Sequence, residues 1–310
     1  MSEGAAMINK QILQGTALRY FLEVARTGSI TEAAGRLDVA PSAVSRQIAR
    51  LERELDVLVF ERRARGMALN AAGELLAAYA KRVQQDIDRV AGDILALRGL
   101  RQGRVRLAST EGYAFDFLPS AIASFRRTYG GIHFSLEAYS SKEISNRIRT
   151  GDADIGITLT MTSERDIRVE LRRPAPVLAI MASDHPLAGM RRLSINQLVP
   201  YPLALPGQDS TVRQLFDISC SRQQLHCEPV FVSRHLNALI NFAVEGGGVM
   251  LCGELAVRNH LRRGGITAVP LRDREMNERQ FEVQTLAGRA LPNACQAFLE
   301  HIRRAVQEPG

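Results

Sequence analysis

The sequence predicts an α/β protein: an α-rich amino-terminal winged helix-turn-helix, a long linker helix and a two-lobed α/β domain of solute-binding-protein type. Three observations predict it. Ser29–Arg65 reads as two short helices, a tight turn, a third polar helix and a basic hairpin. From Asn70 to about Leu97, apolar residues return at three- and four-residue steps, as in a coiled-coil seam. Beyond Val105, short strand-like runs alternate with helical patterns.

Residues 1–16 carry no pattern and are expected to form a mobile tail; residues 17–69 form the head. Ser29 and Glu32 have capping-box spacing, so a helix starts at Ile30. Ala33, Ala34 and Leu37 give it an inner face, and Asp38-Val39 breaks the pattern. Pro41 suits the first turn of the next helix, where its missing N–H costs nothing. On that helix Val44, Ile48 and Leu51 point inward. Pro41, Ser42, Ser45, Arg46, Arg50 and Arg53 are left near the helix start or on its polar faces. Hydroxyls and guanidinium groups there suit base edges and phosphates. Arg46 is placed to fork onto a guanine, while Arg50 and Arg53 are placed for backbone phosphate. Arg62, Arg63 and Arg65 crowd a turn that reads as the wing, with Met67 and Leu69 on its return strand.

Residues 70–98 read as a linker and dimerisation helix with Leu76, Tyr79, Val83, Ile87, Val90, Ile94 and Leu97 on one stripe. A lone helix of this length buries nothing, and a second copy of the chain is the economical partner. Two-fold symmetry would also match a palindromic DNA site. Residues 99–103 are expected to be a hinge.

Residues 104–310 then read as a two-lobed α/β domain, an effector-binding domain by the resemblance given below, with one lobe over 104–173 and 270–310 and the other over 174–269. Strands are expected at Val105–Ala108, Ile132–Tyr139, Ile155–Leu159, Val177–Ala182, Leu203–Leu205, Val230–Val232, Val249–Cys252, Ile266–Pro270 and Phe281–Leu286. Helices are expected at Phe115–Tyr129, Ser141–Thr150, Thr211–Ser219, Leu236–Glu245 and Pro292–Ala305. The alternation implies a parallel sheet. Gly246–Gly248 follows a helix and precedes a strand, the reverse of a phosphate loop, so it marks a helix end. His185, beside Pro186, reads as a turn residue.

The head resembles the LysR-type transcriptional regulators. The residues that carry the likeness are Leu18-Arg19-Tyr20-Phe21, Gly28-Ser29-Ile30-Thr31-Glu32-Ala33-Ala34, Pro41-Ser42-Ala43-Val44-Ser45-Arg46-Gln47-Ile48, Leu51-Glu52, Leu55, Phe60-Glu61-Arg62 and Ala72-Gly73. It continues more loosely to Ile302, with Asp184-His185-Pro186-Leu187-Ala188 and Glu245–Gly248 as landmarks. The resemblance implies a cytoplasmic homodimer or homotetramer that binds double-stranded DNA. It also implies activation or repression at a promoter, where RNA polymerase works, in response to a small co-inducer and with no other cofactor. Many members carry Ser or Thr followed by Gln where this chain has Ala40-Pro41, which shifts base readout onto Ser42, Ser45 and Arg46. Asn70 replaces a usual Thr, and Cys252-Gly253 replaces a common Pro.

In open α/β sheets, ligands sit off the carboxyl ends of the strands. Those ends carry Ser109-Thr110, Ser140-Ser141, Thr158 to Thr160 and Asp209-Ser210-Thr211. Helix starts there favour an anion. The expected site holds a small anionic effector through Ser109, Thr110, Ser141, Ser210 and Thr211. Thr158 lines its floor, Thr160 at the same strand end is a further candidate, and Arg213 or Arg234 adds a charge.

The chain has 310 residues and net charge +7, enough for several cores and suited to an anionic partner. No signal-peptide pattern and no bilayer-length apolar run is present, so no membrane role is expected. Cys220, Cys227, Cys252 and Cys295 lack metal-site spacing, and reduced thiols are the expected state. Because peroxide-sensing relatives place cysteines in this half of the domain, the alternative is a redox-responsive regulator using Cys220 and Cys227. No GxSxG or HExxH motif and no supported Ser/His/Asp order occurs, so neither a catalytic residue nor a metal site is assigned. A transport solute-binding protein is disfavoured by the amino-terminal DNA module.

Overall fold

The structure, a computed structural model, describes residues 15–63, 66–96, 102–160 and 164–307. Most of the expected tail, Leu97 and most of the hinge lie outside them. The chain separates into two compact units, residues 1–89 and 90–310.

In the first unit, helices α1 (Thr16–Thr27), α2 (Ile30–Leu37) and α3 (Pro41–Leu55) precede a hairpin of β1 (Phe60–Arg63) and β2 (Gly66–Leu69). Ser29–Arg65 therefore holds two helices, not three; the third helix of the head lies upstream of Ser29. Each boundary has a local cause. Gly28 ends α1 in the left-handed region at φ 68°. The Glu32 N–H donates to Ser29 Oγ at 3.3 Å, and Asp38 closes α2 at φ 54°. Pro41 opens α3 as its first residue. One core joins these pieces: Phe21, Val24, Ala33, Val44 and Leu51 are essentially sealed from water. The Phe21 and Phe60 rings meet with centroids 5.3 Å apart. The hairpin is pinned to the end of α1 by Met67 N–H donating to Gly28 O at 2.8 Å. Gly66 permits that approach, because a Cβ there would stand 2.4 Å from Gly28 O.

Helix α4 (Ala71–Ala96) follows. Asn70 caps it, accepting from the Gly73 N–H at 2.9 Å and donating to Leu58 O at 2.8 Å. The predicted seam divides along its length. Leu76, with Ala77 and Ala80, is buried in the head core, and Tyr79 packs against it. These two seam residues pack against the head itself. Farther along, Ile87, Val90 and Ile94 are exposed.

The second unit contains two five-stranded sheets. In chain order its elements are β3 (Gly103–Ser109), α5 (Leu118–Thr128), β4 (Ile132–Ala138), α6 (Ser141–Arg149), β5 (Ile155–Thr160), β6 (Ile167–Pro174) and β7 (Leu178–Ala182). Then come α7 (Ile195–Leu198), β8 (Leu203–Pro206), α8 (Thr211–Arg222), β9 (Phe231–Ser233), α9 (Leu236–Val244) and β10 (Val249–Cys252). The chain closes with α10 (Arg258–Arg263), β11 (Ile266–Pro270), β12 (Gln280–Leu286) and α11 (Asn293–Gln307). A π-helical turn over Tyr113–Phe117 leads into α5. The first sheet runs β4-β3-β5-β12-β6 and the second β11-β7-β10-β8-β9. The chain thus passes from the first sheet to the second and returns for β12.

The expectation of a parallel sheet holds for only part of each lobe. Strand β12 runs antiparallel to β5 and β6, and β7 runs antiparallel to β10 and β11. The returning strand enters from the opposite lobe, which reverses its direction. Strand β6 was not expected, although Ile167–Leu171 alternates apolar and charged residues, the pattern of a half-buried strand. That pattern suits an edge position, where charge discourages pairing with another chain. Gly246 ends α9 at φ 73°, and Gly248 lies where a Cβ would be 2.2 Å from Pro202 O, so this turn is a helix stop before β10. His185 is a turn residue, accepting from the Leu187 N–H at 3.2 Å.

Candidate functional site

Two surfaces carry the chemistry. The first is the outer side of α3. Val44, Ile48 and Leu51 anchor the helix, and their spacing leaves Pro41, Ser42, Ser45, Arg46, Arg50 and Arg53 exposed. Arg50 Nε lies 2.7 Å from Glu54 Oε1, so part of its charge is already compensated. Among the described residues, Arg46 and Arg53 carry no ion pair. Arg63 stands exposed at the end of β1, 3.6 Å from an equally exposed Glu61 carboxylate. The Arg62 side chain and Arg65 lie outside the described residues. Register pairing of Arg63 with Gly66 makes the wing a tight hairpin. A convex polar helix beside a basic hairpin has the shape and donors needed for a major groove and its flanking phosphates.

The second surface is a cavity of about 560 Å³ between the two lobes. Lobe one supplies Thr110, Glu111, Tyr113, Ser140, Ser141 and Leu159; lobe two supplies Asp209, Ser210, Thr211, Arg234, His235 and Leu239. Helix starts converge here. Ser140 caps α6 by accepting from the Glu143 N–H at 3.3 Å, and Ser210 caps α8 by accepting from the Arg213 N–H at 3.1 Å. Thr110 accepts the first helical bonds of the turn leading to α5. Its side-chain hydroxyl is buried and, among the described residues, has no hydrogen-bond partner.

The expected effector residues divide. Thr110, Ser141, Ser210, Thr211 and Arg234 line the cavity. Ser109, Thr158, Thr160 and Arg213 are not among its lining residues, which corrects their placement. Ser109 is sealed, and its hydroxyl donates to Thr110 O at 3.0 Å. Thr158 and Thr160 share the strand face of Gly156, which looks onto Ile144 and Ile148 of α6, so alternation carries them off the cleft. Arg213 turns along α8 to Asp217, with Nε 2.8 Å from Oδ1. Ser141 is in the cleft, but its hydroxyl donates to Leu159 O at 3.0 Å. Arg234 pairs with Asp209 at 3.6 Å.

Sequence reasoning missed several lining residues. Glu111 reaches across the lobes and accepts from the Leu236 N–H at 3.1 Å, at the first turn of α9. Asp116, outside that lining, makes a similar crossing, accepting from the Asn259 N–H at 2.9 Å. Arg279, just before β12, lines the cavity although only 1% exposed. Burial lowers its pKa from the usual guanidinium value. Burial also raises the phenol of Tyr113, which stays protonated.

The four cysteines are free thiols. Burial pushes Cys220 up to about 11 and Cys252 up to about 12, and it also raises Cys227. A thiol held protonated is a poor nucleophile. Peroxide treatment is therefore expected to leave DNA affinity unchanged. A loss of binding that dithiothreitol reverses would show a redox device at Cys220 and Cys227 instead.

A winged helix-turn-helix head joined through a long helix to a two-lobed domain with a central cleft defines a DNA-binding transcriptional regulator with an effector-binding domain. The chain belongs to the LysR family. The family model described as "LysR substrate binding domain" matches residues 98–307, and that described as "Bacterial regulatory helix-turn-helix protein, lysR family" matches residues 16–74. Among curated relatives, the transcriptional activator CmpR of Synechocystis is 29% identical over 227 residues, covering 73% of this chain and 74% of that protein. Among solved structures, a full-length OxyR variant from Pseudomonas aeruginosa superposes with TM-score 0.67 at 23% identity, covering 93% of this chain and 97% of that one. Full-length CbnR complexed with its target DNA superposes with TM-score 0.61 at 19% identity, covering 93% and 98%. The protein is a regulator and not an enzyme. Among the described residues, no helix is long and apolar enough to cross a membrane.

Proposed function

We propose that this regulator reads a two-fold operator through paired α3 helices, and that a small anionic effector in the interlobe cleft sets its output. The observation that carries the effector reading is the cleft itself: about 560 Å³ of space, framed by helix starts from both lobes. Helix starts present free N–H groups and positive potential, which favour an anion. A homodimer or homotetramer is assembled partly through the exposed stripe of Ile87, Val90 and Ile94 on α4. The regulator works in the cytoplasm beside RNA polymerase at the promoter, with the co-inducer as its only small-molecule requirement.

A ligand shifts such a protein only through unequal affinity for two arrangements. Here Glu111, bonded to the start of α9, and Asp116, bonded to Asn259, tie the lobes together, and the Glu111 tie lies in the cavity lining where a ligand would act. The test is a library of charged and neutral metabolites screened by thermal melting of the full chain. A ligand at about a hundred times its Kd should stabilise the protein by about 2.7 kcal/mol. The same ligand should alter the operator footprint, and Thr211→Tyr, which fills the cleft, should abolish both effects. If no library member shifts melting, or if the shift survives Thr211→Tyr, the cleft is not the effector site.

A further inference from the structure

We propose that the buried guanidinium of Arg279 is the receptor for the effector's carboxylate, flanked by the Thr110 hydroxyl and approached past Gly253. This rests on the cleft being the effector site and adds the class of ligand: an organic monocarboxylic acid with an apolar body.

The charges lining the cavity are mostly matched. Asp209 faces Arg234, and Glu111 accepts from the start of α9 while lying 3.7 Å from His235 Nδ1. Arg279 differs. It is 1% exposed, and among the described residues no carboxylate pairs with it. Its bonds go to backbone carbonyls: Nε to Ala175 O at 3.1 Å and Nη2 to Pro176 O at 3.4 Å. Its other close neighbours are neutral groups, the Tyr113 phenol and the Cys252 thiol. A guanidinium has five N–H donors in a planar fork, so donors remain beyond those two bonds. A buried cation without a counter-ion is costly, and an incoming anion relieves that cost.

A purely structural role accounts for the carbonyl bonds but not for the charge. The same cavity holds a second unsatisfied donor, the Thr110 hydroxyl, which is buried with no partner among the described residues. Tyr113 sits in the same lining with its phenol held protonated, and so remains a donor. Donors in excess of acceptors call for an oxyanion. The same lining also carries the apolar side chains of Leu159, Leu236, Leu239, Leu251 and Ala256, which suit a carbon skeleton better than inorganic phosphate. Gly253 has a specific part. A Cβ at this position would stand 3.0 Å from Arg279 Nη2, so glycine leaves the guanidinium room beside the cleft. Arg279 also bridges the two crossings between lobes, since Ala175 N–H donates to Arg279 O at 3.0 Å. An acid bound to this side chain therefore touches the segments on which the lobes turn.

The experiment is a thermal-shift and calorimetric titration of the full chain with hexanoate, phenylacetate and cyclohexanecarboxylate. Each is compared with its own amide at constant ionic strength. At least one acid is expected to bind and its amide to bind at least tenfold more weakly. Arg279→Gln is expected to remove that preference. Arg279→Lys, which keeps the charge without the fork, and Gly253→Ala, which crowds Nη2, are each expected to weaken the acid at least tenfold. These two variants carry the test if Arg279→Gln does not fold. Equal binding of acid and amide, no binding by any of the three acids, or full acid affinity in the folded variants each overturns the proposal. Each of those results leaves the cleft as the effector site wherever the metabolite library still yields a ligand sensitive to Thr211→Tyr.

Discussion

Phe21→Ala is expected to destabilise the DNA-binding head by about 3–5 kcal/mol, the usual cost of emptying a buried aromatic site. Phe21 is 0% exposed and meets Phe60, so its removal opens a hole where α1, α3 and the hairpin join. The residues around it, among them Val24, Val44 and Leu51, are held by three short helices and cannot all collapse inward. A domain of this size has only about 5–15 kcal/mol to lose. The effector unit has its own core, in which Phe125 packs on Phe298 with ring centroids 5.2 Å apart. Proteolysis and amide exchange should therefore report loosening of the head alone. Operator binding should fall sharply while cleft ligands still bind. A destabilisation under about 1 kcal/mol would mean that the ring is not the keystone of that core.

Arg46→Ala is expected to weaken specific operator binding by about 1–3 kcal/mol, the worth of a good bidentate contact to guanine. The side chain is exposed on α3 and carries no ion pair among the described residues, so its fork is available. Discrimination against base changes at one position of each half-site should relax in step. Arg63→Ala should behave differently. On the wing it meets phosphate, so all sequences should weaken alike and the salt slope should fall by about one unit. Arg50→Ala should cost less than Arg46→Ala, because Glu54 already holds that guanidinium. Unchanged operator affinity in Arg46→Ala would assign base reading to Ser42, Ser45 or Arg53 instead.

The DNA-binding head was largely legible in the sequence because its signals are local. A Ser cap three residues before Glu32, a Pro at the first position of α3 and a period of 3.6 in Val44, Ile48 and Leu51 each act within one or two turns. The linker stripe was legible as a stripe but not in its use: Leu76 and Tyr79 face the head because Gly73 lets α4 pass against the Val59 backbone. The cleft was half legible. Ser and Thr at strand ends marked the right rim, since capping is also local. Which of them face the cavity depends on strand alternation, and Thr158 and Thr160 fall on the α6 side. Arg279 gave no signal, because a lone Arg ahead of a strand reads as a surface charge. Its burial comes from contact with Ala175, 104 positions away, when the two lobe crossings meet. The mixed sheets were hidden for the same reason: β12 pairs with strands more than one hundred residues earlier.

The central claim is that the exposed side of α3 reads duplex DNA. The most direct measurement selects genomic fragments with the purified chain, then compares wild type and Arg46→Ala on the recovered site across a salt series. The account predicts a two-fold symmetric site, a linear fall of log affinity with log salt, and an Arg46→Ala loss confined to specific sequence. Absence of binding to any duplex at low ionic strength, or equal losses on specific and random DNA, would contradict it.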